Sequence, residues 1–167
     1  PEYRALMKVC REKHIRVIHP DPGPLPLPGS RARLLFFDSM KIRDGLNNRS
    51  LVFKIESRGF SVLVTGDVLA SREKRLAAEY GRQLHADVLI AAHHGSRSSS
   101  SHFFLDKVQP ESVIIPCGWQ NRYGFPHHLV LDRFSERGIR VFRTDTDGAV
   151  SVKSRGAAYE ITAYRNR

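Results

Sequence analysis

Residues 86–92, Ala-Asp-Val-Leu-Ile-Ala-Ala, limit the possible folds more than any other stretch of this chain. A run so short, apolar and branched reads as a strand covered on both faces. Such strands belong to parallel sheets with layers packed on each side. The flanking segments agree. Residues 71–84 place Leu76, Ala77, Tyr80 and Leu84 on one helical face, with Ser71 as the expected cap and Gly81 weakening the end. Residues 101–107 and 126–137 read as further helices, the second with Pro126 near its first turn and Gly138 past its end. Residues 112–117 and 139–143 read as strands. Alternating strands and helices predict an α/β layered fold.

Upstream, Leu6, Val9 and Cys10 give residues 3–13 a helical spacing, and residues 15–19 read as a short strand. Five prolines make residues 20–29 a loop or extended ribbon. Residues 33–37 read as a strand and residues 41–48 as a polar, turn-rich segment. Residues 50–56 and 60–65 form a hairpin through Ser57-Arg58-Gly59. Residues 144–148 read as a turn. A last hairpin, residues 149–153 and 158–164, is expected to make the sheet mixed.

The chain has 167 residues, enough for one domain with a real core. Its 27 Lys and Arg against 17 Asp and Glu give a net charge of +10. Arg dominates, and its planar fork suits phosphate, so polyanion contact competes with a merely solvated basic surface. No apolar run is long enough to span a bilayer, and residues 1–10 lack the pattern of a signal peptide. Cys10 and Cys117 stand far apart and outside any CxxC pattern, and are expected to be two buried thiols.

The chemistry gathers at the ends of the strand-like runs. Asp67 follows Thr65-Gly66, where glycine allows a sharp turn, and projects at a strand end as a metal ligand or a helix cap. His93 and His94 follow the apolar strand directly, where imidazoles need hydrogen-bond partners or a metal. Adjacent side chains diverge, so one is expected to ligate and the other to orient substrate. Ser96, Arg97 and Ser98 to Ser100 make a polar loop, read either as a phosphate holder or as a flexible linker. Residues 118–128 follow the next strand end, and such loops share one crevice in open sheets. Asn121, Arg122, Tyr123 and His127 are the candidates there for substrate contact. Trp119 and Tyr123 are candidates to stack on a base, with core or lid packing the preferred reading of Trp119.

The ordered blocks N-N-x-S-L-V-F-K-I, L-V-T-G-D, A-D-V-L-I-A-A-H-H-G-S, I-I-P-C-G-x-x-N-R-Y-G-F-P-H and R-T-D-x-x-G-A resemble the C-terminal half of the metallo-β-lactamase-like domain of ComEC-family DNA-internalisation competence proteins. The resemblance implies half of an αββα sandwich, a mixed sheet flanked by helices. It divides the chain into a connecting region with a Pro-rich loop, residues 1–46, and the half-domain, residues 47–167. It implies a site for one or two Zn²⁺ or Mn²⁺ ions, with Asp67 as bridging carboxylate and His94 as the late His ligand, His93 being the fallback.

The superfamily's main His/Asp metal cluster is missing, and Asn47 and Asn48 stand near where a further His often occurs. Two ligands fall short of the three usual for catalytic zinc, so an upstream half of the same domain is expected to complete the site. The function implied is a metal-dependent phosphodiesterase or nuclease acting on DNA during uptake. Asp67 and His94 would bind metal; His93, Ser96 and His127 would position phosphate or shuttle protons. Arg97, Asn121, Arg122 and Tyr123 would bind substrate. The expected context is an extracytoplasmic domain of an inner-membrane parent, partnered by its membrane-embedded channel. The rivals are a non-catalytic DNA-binding module on the same fold and an esterase of another phosphodiester, such as phosphocholine.

Overall fold

Arg58 and Gly59 both take positive φ, 52° and 86°. That pair of conformations makes the two-residue turn that matches the twist of a hairpin, and it joins β3 (Val52–Ser57) to β4 (Phe60–Val64). The computed structural model that shows this describes residues 2–17, 21–28, 30–37 and 45–165. Upstream, β2 (Ala32–Phe37) pairs with β3, and β1 (Gly23–Pro26) pairs with β2, all antiparallel. Downstream, β5 (Val88–Ile90), β6 (Ser112–Ile115) and β7 (Arg140–Arg143) add to β4 in parallel, giving one seven-stranded sheet in sequence order. The fold is therefore α/β with a mixed sheet.

The parallel half needs crossovers, and helices supply them. Helix α2 (Ala70–Tyr80), α3 (His102–Val108) and α4 (His128–Ser135) pack on one face. Leu76, Phe104, Leu105, Val130 and Phe134 meet Phe37, Val52, Leu63, Leu89, Val113 and Ile115 of the strands there, in one buried cluster. Each such side chain, fully buried, contributes about 1.5–3 kcal/mol of hydrophobic stabilisation. The other face carries Phe60, Val88 and Ile114. These lie under a separate two-stranded hairpin, β8 (Ala149–Arg155) and β9 (Ala158–Tyr164), through Val150, Val152, Tyr159 and Ile161. Helix α1 (Glu2–Glu12) buries none of its residues, and α5 (Thr144–Asp147) is a single turn.

Several expectations need correction. The last hairpin does not make the main sheet mixed; it forms its own sheet, and the antiparallel β1–β4 half supplies the mixing. The strand expected over residues 33–37 is present as β2, and β1 precedes it in the same sheet. The proline segment takes the second of its two expected forms, an extended ribbon, paired over Gly23–Pro26. Residues 15–17 form no strand, and the rest of that expected strand lies outside the described residues, as do residues 41–44 of the expected polar turn. Ser71 does not cap α2: the cap position is Leu69, and the Ser71 hydroxyl accepts a hydrogen bond from Asn48 Nδ2 at 3.1 Å. Gly81, at φ 50°, ends α2, and residues 81–84 continue as a 3₁₀ turn. Cys117 is buried, but Cys10 is only half-buried.

Candidate functional site

Gly66 ends β4 at φ 57°, and a Cβ there would stand 2.7 Å from the Ser50 Cβ. The position thus excludes any larger residue twice over, by backbone angle and by space. The turn presents Asp67, whose amide N–H donates to Ser50 Oγ at 3.0 Å. The loop after β5 is tied to this turn, because His93 N–H donates to the Gly66 carbonyl at 2.9 Å. His93 and His94 then both take positive φ, 50° and 57°. Non-glycine residues seldom adopt that conformation, and two in succession re-aim both rings.

His94 Nε2 lies 3.7 Å from Asp67 Oδ1. Its Nδ1–H donates to the Pro116 carbonyl at 2.7 Å. That bond sets the tautomer and leaves the Nε2 lone pair free on the side of the carboxylate, the usual arrangement of a ligating imidazole. His93 turns elsewhere: its Nε2 accepts from Asn47 Nδ2 at 3.5 Å, and its buried Nδ1 has no partner among the described residues. The two rings stand 6.4 Å apart and tilted by 58°. Carboxylate and imidazole fit a borderline divalent ion in donor type. Among the described residues, no group of three or more His, Cys, Asp or Glu is placed to hold one.

The loop after β6 forms one wall. Asn121 holds it together by accepting from Phe125 N–H at 2.9 Å and donating to the Phe125 and Gly118 carbonyls at 2.7 and 3.0 Å. Its amide therefore shapes the loop and has little left for a ligand. Phe125, which sequence reasoning did not single out, is set edge-on to His93 at 5.8 Å and stacked with His94 at 6.5 Å. Tyr123 stacks on Phe125 at 5.6 Å, and Arg122 lies over Tyr123 at 4.9 Å. A stair of rings thus climbs from His94 to an exposed guanidinium. Beside it, His94, Cys117, Tyr123, Phe125 and Thr144 help line a cavity of about 380 Å³. Trp119 is 71% exposed, contrary to the expected core or lid packing.

The serine loop is neither a flexible linker nor an open cradle. Ser96, Ser99 and Ser100 are buried. The Ser96 hydroxyl sits 2.9 Å from that of Ser98, within the turn. The buried Glu73 accepts from Ser100 and Ser101 N–H at 2.6 and 2.8 Å, and Arg133 donates to the Ser99 carbonyl at 2.8 Å. Burial pushes the Glu73 carboxyl above its ordinary range, against the pull of those two N–H donors. Arg97 is exposed. His127 caps α4, its Nδ1 accepting from Leu129 N–H at 3.3 Å. Partial desolvation and the charges of His128, Arg97 and Arg133 hold its pKa below the ordinary histidine value.

Behind the site, Cys117 Sγ donates to Asp145 Oδ1 at 3.1 Å, and Arg143 holds both Asp145 oxygens at 3.1 and 2.7 Å. Burial, with the Asp145 carboxylate accepting its proton, pushes the Cys117 thiol up to about 11. The Arg143 hydrogen bonds hold Asp145 below the usual carboxylate range. The Arg-Thr-Asp block therefore braces the wall of the cavity. Thr144 completes the brace by donating to the Cys117 carbonyl at 2.8 Å and accepting from its N–H at 2.9 Å.

No protein-family model matches the sequence. Curated relatives do. The chain is 39% identical over 104 residues to Competence protein ComA of Neisseria gonorrhoeae, covering 62% of this chain and 15% of that protein. It is 36% identical over 118 residues to ComE operon protein 3 of Bacillus subtilis, covering 71% and 15%. It is 37% identical over 106 residues to Recombination protein 2 of Haemophilus influenzae, covering 64% and 13%. The chain thus spans no more than 15% of the length of these relatives. A Thermotoga maritima structure, described as a candidate Zn-dependent hydrolase of the metallo-β-lactamase superfamily, overlays 74% of this chain and 69% of that one. Its TM-score is 0.38 at 12% identity, a likeness too loose to argue from.

Proposed function

We propose that this chain, a homologue of the ComEC-family competence proteins, supplies half of a metal-dependent phosphodiesterase or nuclease site acting on DNA during uptake. The observation that carries the reading is the convergence of Asp67 Oδ1 and His94 Nε2 to 3.7 Å, with the far nitrogen of His94 tied to a backbone carbonyl. Asp67 and His94 hold Zn²⁺ or Mn²⁺, and an upstream half of the same metallo-β-lactamase-like domain provides the remaining ligands. When bound, the ion supplies Lewis-acid activation of water near neutral pH.

The chain's own residues do the rest. Arg122 and Arg97 contact backbone phosphate, and Tyr123, presented on Phe125, offers a ring face to a base. His127, held neutral at pH 7, is suited to move a proton at Nε2, since Nδ1 is occupied by the cap. His93 orients the site through Asn47. Ser96 and Asn121 act by shaping their loops. The parent is an inner-membrane protein with this domain outside the cytoplasm beside its channel; no helix of the described residues is itself long and apolar enough to cross a membrane.

The test uses the chain joined to the upstream half-domain proposed above. Mn²⁺- or Zn²⁺-dependent cleavage of DNA is expected. Asp67→Asn and His94→Ala should each abolish cleavage and weaken metal binding in calorimetry by about 10–100-fold or more. Unchanged turnover in Asp67→Asn sinks the assignment. The lack of a third ligand beside Asp67 and His94 among the described residues favours one rival, a DNA-binding module without catalysis. DNA binding with no cleavage at any metal concentration would select it.

A further inference from the structure

Three turns at the end of the sheet remote from Asp67 each carry the dipeptide Ser-Arg: Ser30-Arg31 before β2, Ser57-Arg58 between β3 and β4, and Ser154-Arg155 between β8 and β9. They are far apart in sequence, yet the fold brings them around one cavity of about 920 Å³. The sheet register explains how. Ala32 pairs with Ser57, which places the first turn beside the second. The third turn touches the second, since a Cβ on Gly59 would lie 3.3 Å from the Ala157 Cβ.

All three guanidinium groups are exposed, and none has a carboxylate partner among the described residues. The Ser30 hydroxyl serves its own turn, donating to the Leu27 carbonyl at 3.0 Å, whereas those of Ser57 and Ser154 bond to no described residue. Glu56 and Asp87 line the adjoining cavity, but neither neutralises the cluster. Glu56 is held by Arg33 and Lys54 at 2.7 and 2.8 Å, and Asp87 accepts from Ser61 N–H and Oγ. A concave cluster of unpaired guanidinium groups with free hydroxyls suits phosphate oxygens, which accept from both. None of the large exposed hydrophobic side chains lies on these turns, so nothing there would enter a bilayer.

We infer that the three Ser-Arg turns form a second, non-catalytic site for the phosphodiester backbone of a nucleic acid. The five residues of β4 separate it from the Asp67 end of the sheet, about 17 Å at strand rise. The choice of nucleic acid as ligand rests on the function proposed above; the site itself rests on the juxtaposition of the turns.

The test measures binding of labelled single-stranded DNA to the full chain by fluorescence anisotropy over a series of salt concentrations. Each phosphate contact contributes about 0.7 to the slope of log affinity against log salt for single strands. The variant Arg31→Gln/Arg58→Gln/Arg155→Gln should lower that slope by about 2 and weaken binding at low salt about tenfold or more. Arg58→Gln and Arg155→Gln alone should each lower it by about 0.7, so the reading does not depend on the triple variant folding. An unchanged slope in all three overturns the inference. So does a variant that keeps its DNA slope and loses binding to phosphatidylglycerol vesicles, which would make the cluster a lipid site. The slope is read without added metal, so failure of cleavage at Asp67 and failure of this site are separate results.

Discussion

Gly66 and Gly95 bracket the candidate site, and each faces a neighbour where a methyl group would have to go: Ser50 for the first, Pro126 at 2.6 Å for the second. Gly66→Ala should therefore cost about 2–4 kcal/mol, combining a left-handed backbone with overpacking, and urea denaturation would measure it. The thiols give another residue-scale check. With its proton donated to Asp145 and its pKa near 11, Cys117 should resist alkylation at pH 8 in the native chain, while half-buried Cys10 is modified. Mass spectrometry of the two peptides would show it. At this scale the sequence was informative about position and silent about use. Asp67 and His94 stand out because they follow apolar strands. Ser96 and Asn121 have the same chemical types as binding residues, but their hydroxyl and amide are used inside their own loops, which only hydrogen-bond geometry can tell. Trp119 was misread because an indole's hydrophobicity says nothing of which side of a loop it occupies.

Among the elements, the serine loop before α3 depends on a carboxylate from another helix: Glu73 of α2 receives the N–H groups of Ser100 and Ser101. Glu73→Ala should leave two buried donors unsatisfied and cost about 2–5 kcal/mol, read from a chemical denaturation midpoint. The brace between β6 and β7 predicts a pH profile. Asp145 has its folded pKa below the ordinary 3.8, so its contribution is full above that value and is lost as pH falls through the folded one. Cys117 has its folded pKa above the ordinary 9.0, so stability falls as pH rises from there toward about 11. Thermal midpoints should drop at both extremes, and Asp145→Asn should flatten the acid limb. Helices and the first hairpin were legible because periodicity and turn residues are local signals. Their exact ends were not, since Leu69 occupies the cap position expected of Ser71, and α4 begins after His127 rather than around Pro126.

For the whole molecule, the layered α/β class followed from the alternation of strands and helices, but the source of the sheet's mixing and the placement of the last hairpin did not. Whether it joins the sheet's edge or lies across its face depends on long-range contacts, chiefly Tyr159 against Phe60 at 4.9 Å and Tyr159 Oη donating to Glu111 at 2.8 Å. Tyr159→Ala should loosen the hairpin, with faster amide exchange in residues 149–164 and about 2–3 kcal/mol lost. At the opposite edge, Leu27 N–H donates to the Ala32 carbonyl, and the alternation of β1 then aims the nitrogens of Pro24 and Pro26 outward. A proline nitrogen carries no hydrogen, so this margin offers an incoming chain acceptors without the donors that would zip it on. Replacing both prolines by threonine should turn a self-limiting border into a template, and light scattering of the concentrated variant would reveal the growing fibrils.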